Sequence, residues 1–338
     1  MVRTYRQAGV DVAEAERAVE RIARAAAATA TPAVLGGVGG FAGLFRFDPS
    51  VHPDPVLVSS TDGVGTKLKV ALGLGRHDTI GVDLVHCCLN DILVTGAEPL
   101  FFLDYLALGD LRADVVAEIV GGVAAGCVAA GIPLIGGETA QMPDVYDGDD
   151  YDLAGFIVGV VSRAGLIDGS RVRPGDALLG LPSSGLHTNG YTLARRVLPE
   201  TVWREPMPHG GGTIGDALLQ PHRSYLDEVR ALRRVADVRA MAHITGGGWE
   251  GNVPRTLPDG LGVEVHTGSW PVPPIFNLIQ SRGDIEDTEM VRTFNVGVGL
   301  TVVVAADQAD AALDAVPEAR RIGLVVEADG SAPRVRFT

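Results

Sequence analysis

The stretch SSTDGVGTK at residues 59–67 places a carboxylate, several hydroxyls and a cation around two glycines, directly after the apolar run Val56-Leu57-Val58. Lys67 and Lys69 are the only lysines in the chain. Asp62 is a suitable ligand for Mg²⁺, which prefers one or two carboxylates with phosphate oxygens and water. A lysine ammonium can neutralise phosphate as a point charge. The stretch predicts a phosphate-and-metal site at the end of a buried strand, where α/β sheets present ligands. A plain Asp-Gly turn is the structural alternative.

The length of 338 residues exceeds what one hydrophobic core usually supports, so we expect two domains. Hydrophobic residues make up 46% of the chain but aromatic residues only 5%, so aliphatic side chains must fill the cores, as in helices packed on sheets. A fold of the α/β (α+β) class follows. Turn signals at Asp168-Gly169 and at residues 173–176 indicate a boundary near residue 165, with domains at 1–165 and 166–338.

The formal charge of −14 argues against nucleic acid or an anionic membrane as a partner, because binding them needs clustered basic side chains. The three cysteines stand in apolar runs without CxxC spacing, which predicts buried thiols in a reducing compartment. We expect no leader segment and no run long enough to span a membrane. The sequence therefore predicts a cytoplasmic protein. An anionic small molecule would be bound by backbone N–H groups, metal ions and a few arginine or lysine side chains.

An apolar helix predicted over about residues 79–95 carries polar side chains. Asp83, His86 and Asn90 share one face by the 3.6-residue period, and Asp91 lies one step round. Burying a carboxylate costs free energy unless something pairs with it, and a metal ion is one such partner. Asp91 is therefore the second candidate metal ligand. The alternative is a buried aspartate that caps a neighbouring loop.

Glycines gather at two further points of the N-terminal half. Residues 36–41 (GGVGGF) hold four glycines in five positions, so that backbone N–H groups can turn toward an anion. This run lacks the GK[ST] ending of a P-loop, and a flexible turn is the alternative. Gly136-Gly137-Glu138 come after a strand predicted at 132–135. A glycine pair and a carboxylate thus again follow a strand.

The second half repeats the alternation of strand and helix. An apolar strand leads into PSSGLHTNG at residues 182–190, which gathers hydroxyls, an imidazole and an amide on one loop. His243 precedes ITGGG at residues 244–248, a second possible anion-binding loop. For a single loop histidine such as His187, the alternative is an imidazole satisfied inside a turn. A strand at 322–326 is predicted to close the sheet.

Taken in order, these blocks resemble the aminoimidazole ribonucleotide synthetases, the phosphoribosylformylglycinamidine cyclo-ligases of purine synthesis. The resemblance covers nearly the whole chain, and the blocks together are far more specific than any one glycine cluster. The matching blocks are Tyr5–Asp11, residues 36–41, Thr61–Lys67, Asn90-Asp91, residues 96–105 (GAEPLFFLDY), Gly136–Ala140, Ser183–Gly190, His243–Gly248 and Thr293–Gly299.

The resemblance implies an ATP-dependent ring closure. Phosphoryl transfer activates the formyl oxygen of formylglycinamidine ribonucleotide, and the glycinamidine nitrogen then attacks to form the imidazole, with release of ADP and phosphate. The resemblance also implies Mg²⁺ and a homodimer of two-domain α/β subunits. The N-terminal strands of the two subunits would form an inter-subunit β-barrel.

Roles for individual residues follow from the resemblance and from the chemistry. Asp62 and Asp91 are expected to hold the metal ion, Lys67 to neutralise the transferred phosphoryl group, and His187 or His243 to accept the proton lost on cyclisation. ATP is expected on Gly36, Gly37, Gly39, Gly40, Thr61, Asp62, Gly63, Asn90, Gly136, Gly137 and Glu138. The ribose phosphate of the substrate is expected on Ser183, Ser184, Gly185, Asn189, Gly246 and Gly247.

The chain departs from the family pattern at Leu186, where a proline is common, in the spacing of residues 248–252, and at two positions that affect the chemistry. Gln141 stands where an acid is expected, and Val296 where a cysteine or methionine is expected, so neither acid–base chemistry at 141 nor a reactive thiol at 296 is available. One rival reading is another ATP-using enzyme of the superfamily, such as a formylglycinamidine synthase, a selenophosphate synthetase or a thiamine phosphate kinase. The other is a non-catalytic nucleotide-binding module, which the intact Asp62, Lys67 and Asp91 disfavour.

Overall fold

The computed structural model describes residues 12–36, 40–208, 210–328, 330 and 333–338. The segment Tyr5–Asp11 and the glycines Gly37 and Gly39 lie outside these described residues, and so do the expectations that concern them. The chain divides into two compact units: one extends to Ile92 and includes Glu98–Arg163, and the other comprises residues 93–97 and 164–338.

The N-terminal unit packs helices against one four-stranded sheet. Its elements in chain order are α1 (Val12–Ala27), β1 (Pro55–Gly63), α2 (Leu68–Leu74), α3 (Ile80–Leu93), β2 (Glu98–Leu108), α4 (Ala113–Ala130), β3 (Leu134–Gln141) and β4 (Tyr151–Ser162). The strand order is β1-β4-β2-β3. β4 pairs antiparallel with both β1 and β2, whereas β2 and β3 are parallel. The parallel pair is joined through α4, the crossover that parallel strands need.

β1 continues through the SSTDG sequence instead of ending before it. It pairs with β4 from Pro55 to Gly63, and it is an edge strand with alternating exposure, so the expectation of a buried strand over residues 56–58 was wrong. Because successive side chains of a strand point to opposite faces, Asp62 points toward α3 while Thr61 lies on the other face, opposite Phe156. β3 likewise includes Gly136-Gly137-Glu138, which we had expected to follow a strand.

α4 has the length and composition of a membrane span, with 18 residues and a mean hydropathy of 1.7. The expectation that no run reaches that length was therefore wrong by these two measures. However, 56% of the helix is buried inside the fold. Gly81 of α3 approaches so closely that a Cβ there would lie 2.1 Å from the amide nitrogen of Val123. These contacts are those of a helix in the core of the fold. A core helix can be as apolar as a membrane span.

The C-terminal unit is built on a six-stranded sheet. Its elements in chain order are β5 (Ala177–Pro182), α5 (Tyr191–Val197), α6 (Ile214–Leu218), α7 (Leu226–Val235), β6 (Val238–His243), α8 (Gly248–Asn252), β7 (Leu261–Val265), α9 (Pro274–Gly283), α10 (Asp287–Thr293), β8 (Val298–Val304), α11 (Ala309–Ala315), β9 (Arg320–Glu327) and β10 (Val335–Phe337). The strand order is β10-β7-β9-β5-β8-β6, and the pairs are antiparallel except β10 with β7. β9 lies inside the sheet, so the expectation that it closes the sheet was wrong.

Both faces of this sheet are covered, which explains the continuous apolar runs of β5 and β8. Leu179 and Tyr225 belong to the core on one face, and Leu178 and Trp249 to the core on the other. Consecutive residues of β5 thus feed opposite cores, as the two-residue period of a strand requires. The loops at the ends of β5 and β6 carry the polar residues that the sequence singled out.

Candidate functional site

Two carboxylates of the N-terminal unit lie around one thiol. The Cys87 thiol donates to Oδ2 of Asp62 at 3.0 Å, and Ser60 Oγ donates to Oδ2 of Asp91 at 3.1 Å. Burial, with the nearby charges of Asp62 and Asp91, raises the pKa of Cys87 well above its ordinary range. A thiol is a soft ligand, whereas the two carboxylates offer the hard oxygen donors that Mg²⁺ prefers. This donor set fits Mg²⁺.

Lys67 forms a fully buried ion pair with Asp83. Its Nζ lies 2.8 Å from Oδ2 of Asp83, and both side chains have no solvent exposure. Burial lowers the pKa of Lys67, and the charge of Asp83 acts in the opposite direction. Asp83, which the helix pattern marked as a carboxylate in need of a partner, therefore has one. A direct contact of Lys67 with phosphate would require this pair to open or to be shared.

A cavity of about 740 Å³ adjoins β2 and β3 of the N-terminal unit. Gly40, Gly136, Gly137 and Glu138 line it, four of the residues expected to bind nucleotide. Asp104 also lines it, and a Cβ on Gly137 would lie only 1.8 Å from Oδ1 of Asp104. Position 137 therefore has to be glycine while Asp104 keeps its place.

Asp104 is a candidate that sequence reasoning missed. The residue is only 8% exposed, and burial raises the pKa of its carboxyl to about 7. A carboxyl with such a pKa in a cavity can exchange protons near neutral pH. In the sequence, Asp104 lies within the GAEPLFFLDY block. Its one sequence signal is that it is an acid in an apolar strand.

The remaining N-terminal candidates are placed as follows. Asn90 is fully buried in α3, and Gly63 ends β1 with its N–H donating to Oδ1 of Asp62 at 2.7 Å. Thr61 is exposed on the face of the sheet opposite to Asp62. Gly36 is exposed on the loop between residues 34 and 45, which a bridge between those residues closes. The structure thus brings Asp62 and Asp91 together around α3 and leaves Thr61 on the other side of the strand.

In the C-terminal unit, Asn295 holds the loop that begins at Ser183. Ser183 Oγ donates to Oδ1 of Asn295 at 2.8 Å, and Nδ2 of Asn295 donates to the carbonyl of Gly185 at 2.9 Å. The N–H of Gly297 also donates to Oδ1 of Asn295. Asn295 is 3% exposed, so this buried amide fixes the shape of the predicted substrate loop.

Two loops meet beside this network. A Cβ on Gly246 would lie 3.4 Å from Oδ1 of Asn189, so the 182–190 loop and the glycine loop after His243 are neighbours. Gly247 has φ +89°, in the left-handed region that suits glycine. Ser184 Oγ donates to the carbonyl of Pro221 at 2.5 Å. The residues predicted to bind substrate phosphate thus share one region of the C-terminal unit.

Three histidines come together at the base of these loops. His187 and His243 were predicted candidates, and His222 joins them with its Nε2 at 3.0 Å from Nε2 of His243. The rings of His187 and His222 stack with centroids 4.0 Å apart. His222 stands in no recognisable motif, so sequence reasoning had no signal for it. His187 and Val296 both have positive φ values, 62° and 48°, and such strained residues concentrate at functional sites.

Sequence models of a known family cover both units. The AIR synthase related protein N-terminal domain matches residues 31–161, and the AIR synthase related protein C-terminal domain matches residues 173–336. The protein called hydrogenase maturation protein HypE, solved in complex with ATP, has a similar fold: the TM-score is 0.66 with 19% identity, over 92% of this chain and 88% of that chain. The expectation of a two-domain α/β fold of this type is confirmed.

Relatives with curated names identify one enzyme family within this class of proteins. The phosphoribosylformylglycinamidine cyclo-ligase of Desulfitobacterium hafniense (strain DSM 10664 / DCB-2) is 53% identical over 307 residues, covering 91% of each chain. That of Myxococcus xanthus (strain DK1622) is 52% identical over 339 residues, covering 98% of each chain. The chain belongs to the phosphoribosylformylglycinamidine cyclo-ligase family, as the resemblance predicted.

Proposed function

We propose that this chain closes the imidazole ring of aminoimidazole ribonucleotide, consuming ATP and formylglycinamidine ribonucleotide and releasing ADP and phosphate. The observation that carries the proposal is identity of 52% across 98% of a curated cyclo-ligase, which includes both units. Identity at this level over both units favours the same reaction over that of a rival superfamily enzyme and over a non-catalytic module. The function is a step of purine biosynthesis.

ATP and Mg²⁺ are assigned to the N-terminal unit. Asp62 and Asp91 would hold Mg²⁺, which when bound neutralises phosphate charge. The cavity lined by Gly40, Gly136 and Gly137 supports the nucleotide assignment, since glycines let backbone N–H groups approach phosphates. Phe156 also lines this cavity, so the cavity lies on the sheet face of Thr61 and not on that of Asp62. The HypE protein, which shares this fold, was solved in complex with ATP, which supports ATP as the nucleotide.

Lys67 is assigned the neutralisation of charge on the transferred phosphoryl group. Asp83 favours the charged form of the buried ammonium and fixes its position.

The substrate is assigned to the C-terminal unit. Ser183, Ser184, Gly185, Asn189, Gly246 and Gly247 would hold the ribose phosphate, with Asn295 positioning the first three. His187 or His243 would accept the proton that the attacking nitrogen loses. Both imidazoles are buried, which excludes bulk water from competing for that proton.

A homodimer is part of the proposal. Leu57 and Phe156 of the N-terminal sheet are 66% and 44% exposed on the face that also carries Thr61. Exposed apolar surface of this kind favours a protein partner, and a second copy would place two such sheets face to face as a barrel. Sedimentation of wild-type protein and of Leu57→Asp tests this, since the charged variant should be monomeric. A monomeric wild type would refute the dimer.

A small-molecule substrate, a cytoplasmic location and the lack of nucleic-acid or membrane partners complete the proposal. The formal charge of −14 supports the last of these, because phosphate-rich polymers and anionic lipids would be repelled.

The deciding experiment incubates purified protein with ATP, Mg²⁺ and formylglycinamidine ribonucleotide and follows aminoimidazole ribonucleotide and ADP. We expect both products in equal amounts, and neither without Mg²⁺. ADP formation without the imidazole product, or no turnover of a protein that still binds ATP, would refute the cyclo-ligase assignment.

A further inference from the structure

Three buried imidazoles of the C-terminal unit present nitrogens to one another. One nitrogen from each of His187, His222 and His243 lies within 4.8 Å of the other two. The three residues are 0%, 1% and 5% exposed. They come from separate segments: the loop after β5, the segment before α7 and the last position of β6. The fold therefore assembles this cluster from residues far apart in the sequence.

The contact between His222 and His243 joins two imidazole nitrogens directly. Their Nε2 atoms are 3.0 Å apart, so one nitrogen must carry a proton and the other a lone pair, because two N–H groups would repel. A cation can take the place of that proton. In a tetrahedral zinc site with bonds of about 2.0–2.1 Å, the donor nitrogens lie about 3.3 Å apart. The observed pair is within a few tenths of an ångström of that spacing.

A hydroxyl lies near the second ring nitrogen of His222, the one that does not contact His243. Thr188 Oγ1 lies 3.4 Å from Nδ1 of His222. A hydroxyl that accepts from Nδ1 keeps the lone pair on Nε2, the nitrogen that faces His243, which is how metal-binding histidines are commonly oriented. The His187 ring stacks on His222, and its Nε2 accepts from the N–H of Ser184 at 3.3 Å. To add a third nitrogen, the ring would use Nδ1 or release that contact.

We propose that His187, His222 and His243 form a binding site for one zinc-class divalent cation, with water or an anion as the fourth ligand. Three imidazoles and an open position are the ligand set of many zinc sites. Imidazole nitrogens select Zn²⁺, Co²⁺ or Ni²⁺ over Mg²⁺, which prefers oxygen. The site differs in this respect from the carboxylates of Asp62 and Asp91. A cation bound here would occupy the lone pairs with which His187 or His243 would accept a proton, so it would compete with that role, and the inference does not rest on the cyclisation activity.

The test titrates chelator-treated full-length protein with Co²⁺ and follows its visible absorption. We expect one equivalent to give the intense spectrum of tetrahedral Co²⁺, and Zn²⁺ to displace it. Loss of a residue that only orients a metal ligand weakens metal binding about 10–100-fold. His222→Gln removes a ligand itself, so it should weaken Co²⁺ binding by at least about 100-fold. The matched control His266→Gln, at a half-exposed histidine of the same unit, should bind like wild type.

The outcomes are distinct. Absence of the tetrahedral spectrum, or unchanged affinity in His222→Gln, would overturn the proposal. So would loss of the signal in Asp62→Asn, because the ion would then occupy the carboxylate site.

A second measurement needs no variant and so does not depend on whether His222→Gln folds. X-ray absorption of Zn²⁺-loaded wild-type protein should show nitrogen neighbours at about 2.0–2.1 Å. A sulfur neighbour at about 2.3 Å would instead indicate a cysteine site and overturn the assignment.

Discussion

The candidate sites of the two units use different kinds of polar group. In the N-terminal site the groups are charged: Lys67 pairs with Asp83, and the Asp62 carboxylate accepts from the Cys87 thiol. In the C-terminal site they are amides, hydroxyls and imidazoles, such as the network of Asn295. Fixed charges stabilise the charge that moves with a phosphoryl group, whereas hydrogen-bonding groups recognise a substrate and transfer protons. The division of labour that we propose follows this difference.

The largest effect is expected from removing a charge at the N-terminal carboxylates. Asp62→Asn keeps the shape of the side chain but removes a hard anionic ligand. Loss of several kcal/mol of charge stabilisation should lower kcat by about a thousandfold or more while the fold persists. Steady-state kinetics with circular dichroism measure this. The matched control is Asp54→Asn. Asp54 immediately precedes β1, is exposed and pairs with Arg163, so this variant should keep the wild-type kcat. Wild-type turnover in Asp62→Asn would refute the metal assignment.

The buried ion pair is expected to dominate stability. Lys67→Met leaves the Asp83 carboxylate buried without its ammonium, which should cost about 3–5 kcal/mol in the free energy of unfolding. Urea denaturation measures it. Lys69→Met is the matched control, because Lys69 is 45% exposed and its pair with Asp150 should contribute at most about 1 kcal/mol.

The double variant Lys67→Met/Asp83→Leu separates structure from catalysis. Removing both charges should recover most of the stability, since a buried pair is often replaceable by apolar side chains. If Lys67 also acts on the phosphoryl group, the refolded double variant should remain inactive. Recovered activity would limit Lys67 to a structural role.

Asp104 should make the stability of the N-terminal unit depend on pH. Burial raises its pKa from 3.8 to about 7, so between these values the folded chain holds a proton that the unfolded chain has lost. Its contribution is therefore fully present below about pH 4 and is lost as the pH rises toward 7, by at most about 1.4 kcal/mol per pH unit. From pH 5 to 7 the wild type should lose about 2 kcal/mol relative to Asp104→Asn. Parallel stability curves for the two proteins would contradict the raised pKa.

The sequence predicted local structure well where local chemistry decides it. The helix predicted over about residues 79–95 is observed as α3, from Ile80 to Leu93, because an apolar run with periodic polar residues favours a helix locally. The pairing of Asp83 with Lys67 was not predicted, since periodicity gives the face of a helix but not the partner on another segment. The interior position of β9 was missed for the same reason: strand order depends on contacts distant in sequence. His222 joins the other histidines only through such contacts.

The smallest effect is expected where the C-terminal unit is strained. Val296 has φ +48° beside Asn295, in a region where a β-branched residue is disfavoured by about 1–3 kcal/mol. Asparagine tolerates this conformation, so Val296→Asn should raise the free energy of unfolding by about 1 kcal/mol. Because the change adds no charge, it should leave the pH dependence of stability unaltered, in contrast to Asp104→Asn. Thermal denaturation over a pH series measures both quantities. A loss of stability would mean that the packing of the valine side chain outweighs the strain, and the C-terminal network would then depend on Val296 as well as on Asn295.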